Sequence, residues 1–253
     1  MDLKSFWVFF RVGLTIVFRS KSLRQAKKFD KQGKVKERDA IVYDKAHNWS
    51  RELFDRILKG VNVTVHGLEN VPRDRAVVFI GNHQGYLDIP LLLGFVDKQI
   101  AFIAKAEILK VPVLSAWMKL MQCTFLVRSS PRQSIEAMNE AIKNVEKGYS
   151  LVIFPEGHRS KGGPMKELKP GSFKLAYKSG APIVPFTIDG SFRIFEENGI
   201  QPGDVTLTIH PPIYIDGMDK EQQKKIPAKV QEIVASALPP AQKPLTIEQS
   251  SAE

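Results

Sequence analysis

Residues 76–96 read AVVFIGNHQGYLDIPLLLGFV, a stretch that contains a strand pattern followed by a helix pattern. It begins with a short apolar, partly β-branched run, which is typical of a strand covered on both faces. The segment DIPLLLGFV then has an aspartate in its first turn and a proline close to its start, as helix beginnings do. On one continuous helix His83 and Asp88 would lie about 140° apart around the axis. We therefore predict that the chain turns after the strand, and that Asp88 faces His83 from the next helix.

Strand and helix patterns alternate from Val61 onward. VNVTVHG at 61–67 has valine at every second position, and apolar runs typical of strands follow at 76–80, 100–104, 124–127, 151–154, 182–188 and 204–210. Helical patterns lie between them. The clearest runs from 132 to 147, with an apolar stripe of Ile135, Met138, Ile142 and Val145. This alternation predicts an α/β fold with a largely parallel, mixed sheet flanked by helices.

The positive charge is concentrated at the beginning of the chain. Residues 1–60 contain 15 Lys and Arg against 7 Asp and Glu, a net charge of +8, whereas all 253 residues carry +10. The adjoining block FWVFFRVGLTIVF, at 6–18, has five aromatic residues and a single charge, Arg11. It is shorter than the roughly 20 residues of a bilayer span. An aromatic block followed by one-signed charge instead predicts a segment seated in an anionic membrane surface, with four cations near the lipid phosphates: Lys21, Arg24, Lys27 and Lys28.

Two alternatives to a membrane-seated segment explain less. A signal peptide would have its positive charges before the apolar block and small residues after it. A helix packed on the protein's own core would leave the one-signed charge unexplained.

A second amphipathic stripe follows, and KQGK at 31–34 is a natural turn, so the beginning of the chain is predicted to be an amphipathic two-helix membrane hairpin. The stripe is Val42, Ala46, Trp49, Leu53 and Ile57.

These patterns divide the chain into three parts. Residues 1–60 form the membrane-associating hairpin, 61–238 the α/β domain, and 239–253 a polar tail with three prolines that we expect to be mobile. The single cysteine, Cys123, excludes an intramolecular disulfide and any multi-cysteine metal site.

Ionisable residues follow the predicted strands at the points where they end. His83, Lys105 and Arg128 come after three strands, and 156–159, EGHR, after a fourth. Ligands of open α/β sheets collect outside the carboxyl ends of the strands. Three strong cations at this edge predict an anionic ligand, most simply a phosphate.

The histidine is better suited to proton transfer than to metal binding. No second histidine stands at a metal-ligand spacing, so we predict a general base and no metal ion. Asp88 would fix the tautomer of His83 and stabilise the imidazolium. Because no serine nucleophile is evident, the base would act directly on a bound hydroxyl.

Four blocks of sequence together resemble the glycerolipid acyltransferases typified by the 1-acylglycerol-3-phosphate (lysophosphatidate) acyltransferases, over about residues 61–215. They are NHQGYLD at 82–88, FLVR at 125–128, FPEGHRS at 154–160 and IVPFTI at 183–188. The HxxxxD spacing alone is a weak signal, whereas its combination with FPEGHRS is specific. Gly85 and His158 depart from the serine and threonine that many members have.

The resemblance implies transfer of a fatty acyl group from a thioester, acyl-CoA or acyl carrier protein, to the sn-2 hydroxyl of lysophosphatidate, giving phosphatidate. It implies a base role for His83 supported by Asp88, and needs no metal or organic cofactor. It also implies an acceptor site of Arg128, Glu156, Gly157 and Arg159, with Lys105 near the phosphate, and an acyl site lined by Val184 and Pro185.

The expected location is the cytoplasmic face of the cell membrane, in peripheral or monotopic attachment. Three alternatives stay open: another lysophospholipid acceptor, a lyso-aminolipid acceptor, or a non-catalytic membrane-binding protein of this fold. A nucleic-acid partner is disfavoured, because the aromatic and basic residues form separate blocks rather than one interleaved surface.

Overall fold

A computed structural model describes Gly13, Thr15 and residues 20–127, 129–196 and 199–244. The described residues form helices α1 Ser20–Lys31, α2 Val35–Glu52, α3 Asp88–Phe95, α4 Pro112–Leu120, α5 Pro131–Glu146, α6 Lys174–Ser179, α7 Ser191–Phe195 and α8 Lys220–Ser236. The strands are β1 Val61–His66, β2 Val78–Gly81, β3 Ile100–Lys105, β4 Thr124–Leu126, β5 Ser150–Ile153, β6 Ile183–Asp189 and β7 Gly203–Ile209. Short 3₁₀ segments occur at Leu68–Asn70, Ala106–Lys110, Pro170–Phe173 and Pro240–Gln242, and a π-helical turn at Leu53–Ile57.

The chain divides into two compact units. The first contains Met1–Lys59 and Pro90–Val152, and the second contains Gly60–Ile89 and Ile153–Glu253. This grouping differs from the predicted division at residue 60, because 90–152 belong with the N-terminal helices. Their packing explains why: the Phe54 and Phe95 rings meet edge to face at 5.3 Å, and the Arg51 guanidinium lies 4.1 Å from the Phe95 ring centroid.

In the first unit α1 packs along α2, and the turn between them lies at the predicted KQGK segment. Gly33 adopts φ +68°, which a glycine reaches without strain. Arg38 of α2 is buried and pairs with Asp30 of α1 at 2.7 Å. In the same unit β3 runs parallel to both β4 and β5. Most of the aromatic block at 6–18 lies outside the described residues, so the membrane hairpin stays a prediction.

In the second unit the strand order is β1-β7-β6-β2. β1 is parallel to β7 and β2 is parallel to β6, whereas β6 and β7 are antiparallel. β1 alternates between half-buried and exposed residues, as the valine repeat predicted. β2 is buried at all four positions, and β6 is buried along its length except at its last residue. The predicted α/β class with a mostly parallel, mixed sheet is confirmed.

One detail of the predicted helix stripe was wrong. Ile135 is 63% exposed, because α5 buries a face centred on the small Ala137 and Ala141. The tail that we expect to be mobile begins with a 3₁₀ segment, Pro240–Gln242, in which Gln242 is 4% exposed and hydrogen-bonded. Residues 245–253 lie outside the described part of the chain. None of the described helices combines the length and apolarity needed to cross a bilayer.

Candidate active site

The end of β2 is pressed against β6, and this contact fixes where the next loop begins. A Cβ on Gly81 would lie 2.3 Å from the carbonyl oxygen of Phe186, so only glycine fits. The Asn82 side chain then bridges to the main chain of Ile188, donating to its carbonyl and accepting from its N–H, each at 2.8 Å. Asn82 thus replaces a pair of ladder hydrogen bonds and lets the chain turn away from the sheet.

The turn brings His83 and Asp88 together, as the sequence predicted. His83 Nδ1 lies 2.7 Å from Asp88 Oδ2. The same oxygen accepts from the main-chain N–H groups of Gln84 at 2.7 Å and Gly85 at 3.0 Å. Asp88, the first residue of α3, is fully buried, while the His83 side chain is 19% exposed. These donors satisfy Oδ2 and hold the buried carboxylate in one orientation.

The contact with Asp88 decides the tautomer of the imidazole. A proton on Nδ1 donates to the carboxylate, which leaves the lone pair of Nε2 to accept a proton from another molecule. The ring stacks on Phe154, with centroids 4.1 Å apart and planes 20° apart, and Phe154 in turn meets Phe186 edge to face at 5.8 Å. The histidine is therefore held both at its edge and on its face.

Glu156 supports the loop at 82–87, which we call the histidine loop, through the main chain. Its Oε1 accepts from the N–H of His83 at 2.7 Å and its Oε2 from the N–H of Lys166 at 2.9 Å. Burial raises the pKa of this carboxyl above its ordinary value, and the main-chain donors of Lys166 and His83 act in the opposite direction. Both oxygens of Glu156 are thus engaged by main-chain N–H groups.

The loop after β5 runs beside the loop after β2 and is hydrogen-bonded to its main chain. Ser160 N–H donates to the His83 carbonyl at 2.7 Å, and Lys161 N–H to the Gln84 carbonyl at 3.1 Å. Gly157 adopts φ +76° at the bend in this loop. The four consecutive residues EGHR are thus presented beside the histidine by main-chain pairing.

Arg159 is held by groups that the sequence patterns did not reveal. Its Nη1 donates to Glu196 Oε1 at 2.5 Å, and its guanidinium carbon lies 3.6 Å from the centroid of the Tyr86 ring. Glu196 Oε1 also accepts from the Tyr86 N–H at 3.0 Å. A Cβ on Gly85 would lie 3.3 Å from Glu196 Cγ, tighter than ordinary contact, so the glycine found here in place of serine leaves room for this carboxylate.

Two further buried residues reach the histidine loop from distant parts of the sequence. The Ser191 hydroxyl donates to Asp88 Oδ1, and the Gln84 side-chain amide donates to Gln242 Oε1 at 2.6 Å. The Gln242 carbonyl also accepts from the Met165 N–H at 2.9 Å. No sequence signal pointed to them, because each lies outside the four conspicuous blocks.

The remaining predicted site residues lie as follows. Lys105 is the exposed last residue of β3, in the first unit, and Arg128 lies outside the described residues. Val184 and Pro185 are buried in β6, where they pair in register with Phe79 and Ile80. His158 is exposed. The roles assigned to these residues stay predictions.

Comparison with known families assigns the chain to one of them. The profile of the family described as Acyltransferase matches residues 62–189, just over half of the chain. The chain belongs to this acyltransferase family. The matched stretch of the acyltransferase contains the loops after β2 and β5 and ends at the last residue of β6, so Ser191, Glu196 and Gln242 lie beyond it.

Individual relatives agree with the family match. The chain is similar to the chloroplastic 1-acyl-sn-glycerol-3-phosphate acyltransferase BAT2 of Brassica napus, 39% identical over 59% of this chain, but spans less than half of that relative, 44%. It is 32% identical to the 1-acyl-sn-glycerol-3-phosphate acyltransferase of Borreliella burgdorferi, covering 66% of this chain and 67% of that one. The crystal structure of the 1-acyl-sn-glycerophosphate (LPA) acyltransferase PlsC from Thermotoga maritima matches with a TM-score of 0.75 and 30% identity over 92% of each chain.

Proposed function

We propose that this acyltransferase transfers a fatty acyl group from acyl-CoA or acyl carrier protein to the sn-2 hydroxyl of lysophosphatidate, giving phosphatidate. The observation that carries the proposal is the 2.7 Å contact of His83 Nδ1 with the buried Asp88, which leaves Nε2 as the proton acceptor. The names of the relatives from Brassica napus, Borreliella burgdorferi and Thermotoga maritima support the choice of acceptor.

The chemistry follows from these two side chains. His83 Nε2 takes the proton of the acceptor hydroxyl as its oxygen attacks the thioester carbonyl, and the charge of Asp88 stabilises the imidazolium that forms. When the tetrahedral intermediate collapses, the carbon–sulfur bond breaks and the imidazolium returns the proton to the leaving thiolate. Direct transfer between hydroxyl and thioester requires no metal ion or organic cofactor.

The acceptor is proposed to bind through cations. Arg159 offers a guanidinium that is fixed on one edge by Glu196 and on one face by Tyr86, and planar guanidinium groups suit phosphate. Lys105 and Arg128 are proposed to contribute at the phosphate, and Gly157 through the bend of its loop. Glu156 contributes by holding the main chain of that loop, and Val184 and Pro185 belong to the proposed acyl side.

Acyl transfer in mixed micelles tests this function. Labelled acyl-CoA and, separately, acyl carrier protein are offered with lysophosphatidate, and product is compared between the wild type and His83→Ala. We expect phosphatidate from the wild type and a loss of about 10³-fold or more in the variant, because it lacks the base. Activity that survives in a folded His83→Ala variant contradicts the mechanism. Competition among lysophosphatidate, other lysophospholipids and lyso-aminolipids identifies the acceptor.

We also propose that the protein acts at the cytoplasmic face of an anionic membrane. The support comes from α1, in which Lys21, Arg24, Lys27 and Lys28 are exposed while Leu23 and Ala26 are buried on the other side. Such a basic face is attracted to anionic lipids by about 1 kcal/mol for each residue near the surface.

Charge reversal on α1 tests the membrane proposal. We expect Lys27→Glu/Lys28→Glu to weaken sedimentation with vesicles containing anionic phospholipid by roughly 30-fold, and to have little effect with neutral vesicles. Lys174→Glu/Lys178→Glu, on the exposed side of α6, makes the same change in net charge and serves as the matched control. Equal losses in the two double variants would indicate an effect of net charge alone and would reject the proposed role of α1.

A further inference from the structure

The short helix α7 connects two separate parts of the candidate active site. Ser191 is its first residue and Glu196 directly follows its last. Ser191 contacts the carboxylate that pairs with His83, whereas Glu196 contacts the guanidinium proposed to bind the acceptor. Both residues lie beyond the stretch that matches the family profile, which ends at residue 189.

Ser191 completes the hydrogen bonding of the buried aspartate. The three donors to Oδ2 come from the same loop as Asp88 itself: His83, Gln84 and Gly85. Ser191, 1% exposed, donates to the other oxygen from a position 103 residues away in sequence. With both oxygens held, the carboxylate cannot rotate without losing bonds to a buried charge, which is costly.

The main chain fixes the position of the Ser191 hydroxyl. Gly190 adopts φ +89°, and a Cβ there would lie 2.2 Å from the carbonyl oxygen of Asp204. On the next residue, the Phe192 ring covers Gly162 so closely that a Cβ at 162 would lie 2.3 Å away. The start of α7 is therefore wedged between β7 and the loop after β5, so the serine cannot shift without moving these neighbours.

Glu196 holds the arginine in a similar manner. It is 6% exposed on its side chain, and its Oε1 accepts both from Arg159 and from the Tyr86 main chain. The Tyr86 ring lies against the face of the guanidinium and meets Phe195 of α7 edge to face at 5.8 Å. An arginine side chain has five N–H donors, so a carboxylate bound to one nitrogen leaves other donors for an incoming anion.

We propose that Ser191 and Glu196 are positioning residues of the acyl transfer: Ser191 orients Asp88 and through it the imidazole of His83, and Glu196 orients Arg159 toward the phosphate of the acceptor. This inference rests on the proposed function. It assigns two separable effects to one helix, one on proton transfer and one on acceptor binding.

Ser191→Ala tests the first effect. We expect kcat to fall about tenfold with little change in the KM for lysophosphatidate, because one hydrogen bond to the charged group that supports the base is lost. The acid limb of the pH profile of kcat/KM should move to higher pH, because the carboxylate with fewer donors attracts the imidazolium more strongly. Ser191→Thr keeps a hydroxyl and should hold the limb in place even where its added methyl group lowers stability.

Ser179→Ala is the matched control for the loss of a hydroxyl. The Ser179 hydroxyl donates to the Leu175 carbonyl at 2.7 Å within α6, away from the histidine loop. We expect this variant to keep the wild-type kcat and pH profile. A Ser191→Ala variant with an unchanged pH profile and unchanged kcat would overturn the assignment of Ser191.

Glu196→Ala tests the second effect. We expect the KM for lysophosphatidate to rise about tenfold with kcat nearly unchanged, and Glu196→Gln, which keeps an acceptor oxygen, to lie between Ala and the wild type. Glu136→Gln breaks the exposed pair with Arg132 on α5 and should leave KM unchanged. A KM that falls in Glu196→Ala would mean that the carboxylate competes with the acceptor for Arg159, and would overturn this assignment.

A measurement without turnover separates failure of this inference from failure of the proposed function. Nitrogen-15 spectra of histidine-labelled protein report the imidazole tautomer, and the His83→Ala spectrum assigns the signal. The Ser191→Ala variant should show a different tautomer balance and titration for His83, whereas Ser179→Ala should not. Binding of lysophosphatidate micelles, weakened in Glu196→Ala, gives the corresponding readout for Arg159. Wild-type-like spectra and binding reject the inference even if the acceptor is a different lipid.

Discussion

The loop after β2 and the loop after β5 each bury one carboxylate, but the two are held differently. Asp88 is fully buried and shares one oxygen between the imidazole of His83 and two main-chain N–H groups. Glu156, 2% exposed, accepts from the main chain of His83 and Lys166. One carboxylate contacts the imidazole ring of His83, and the other holds the main chain of the same residue.

Two acidic residues in equally conspicuous sequence blocks therefore have different consequences when changed. A change at Asp88 removes the charge that contacts His83 without removing the donors that shape the loop. A change at Glu156 removes an acceptor that spans two segments of main chain, so it alters structure first and activity second.

The largest expected effect is that of Asp88→Asn. The amide oxygen would take the place of Oδ2, where three donors converge, and the NH₂ group would face the Ser191 hydroxyl, so the loop should keep its shape. The imidazolium would lose its counter-charge, and we expect kcat to fall about 10³- to 10⁴-fold. Asp216→Asn, at an exposed position, is the control and should keep the wild-type rate. More than a tenth of the wild-type rate in Asp88→Asn would contradict this account.

The glycines of the two loops give the next contrast. A Cβ at Gly81 meets main chain, so Gly81→Ala should lower the free energy of unfolding by about 3 kcal/mol. A Cβ at Gly157 lies 3.0 Å from the end of the flexible Lys169 side chain, so the cost there is mainly that of φ +76°, about 1–2 kcal/mol. Gly171→Ala, with open space around it, should cost much less than either. Urea denaturation measures all three, and the reverse order for Gly81 and Gly157 would reject this explanation.

Glu156→Gln should destabilise the protein by about 1–3 kcal/mol. Both carboxylate oxygens accept from N–H groups, so the NH₂ of a glutamine must face a donor, either that of His83 or that of Lys166. We expect kcat to fall far less than in Asp88→Asn. If kcat fell further in a folded Glu156→Gln variant than in Asp88→Asn, the assignment of the chemistry to Asp88 would be wrong.

The smallest effect is a pH dependence of stability due to Glu156. Because its folded-state pKa is raised, the folded protein binds this proton more tightly than the unfolded chain does. Its contribution to stability is therefore present below the ordinary pKa of a glutamate and is lost as pH rises through the raised folded value. The difference in unfolding free energy between the wild type and Glu156→Gln should fall over that range. A constant difference would contradict the raised pKa.

The meeting of His83 and Asp88 was predictable because one short segment contains the strand, the turn and the helix that bring them together. Ser191, Glu196 and Gln242 were not predictable, because their contacts depend on the antiparallel return of β7 beside β6 and on the path of the chain after α8. Ile135 was placed in the core because the apolar pattern gives more weight to isoleucine than to the two alanines on which α5 packs. Periodicity predicts a face, but side-chain size decides how it packs.

The hydrogen bond between Gln84 and Gln242 also orders events during synthesis. The histidine loop leaves the ribosome early, but its partner in the Pro240–Gln242 segment is made 158 residues later. At about 5–20 residues per second, that interval lasts roughly 8–30 seconds. During this time His83 and Asp88 are present without Gln242, which accepts from Gln84 through its side chain and from the Met165 N–H through its main-chain carbonyl. The histidine loop is thus completed by a segment that is translated long after it, so nascent chains that stop before residue 242 lack its bond to Gln242.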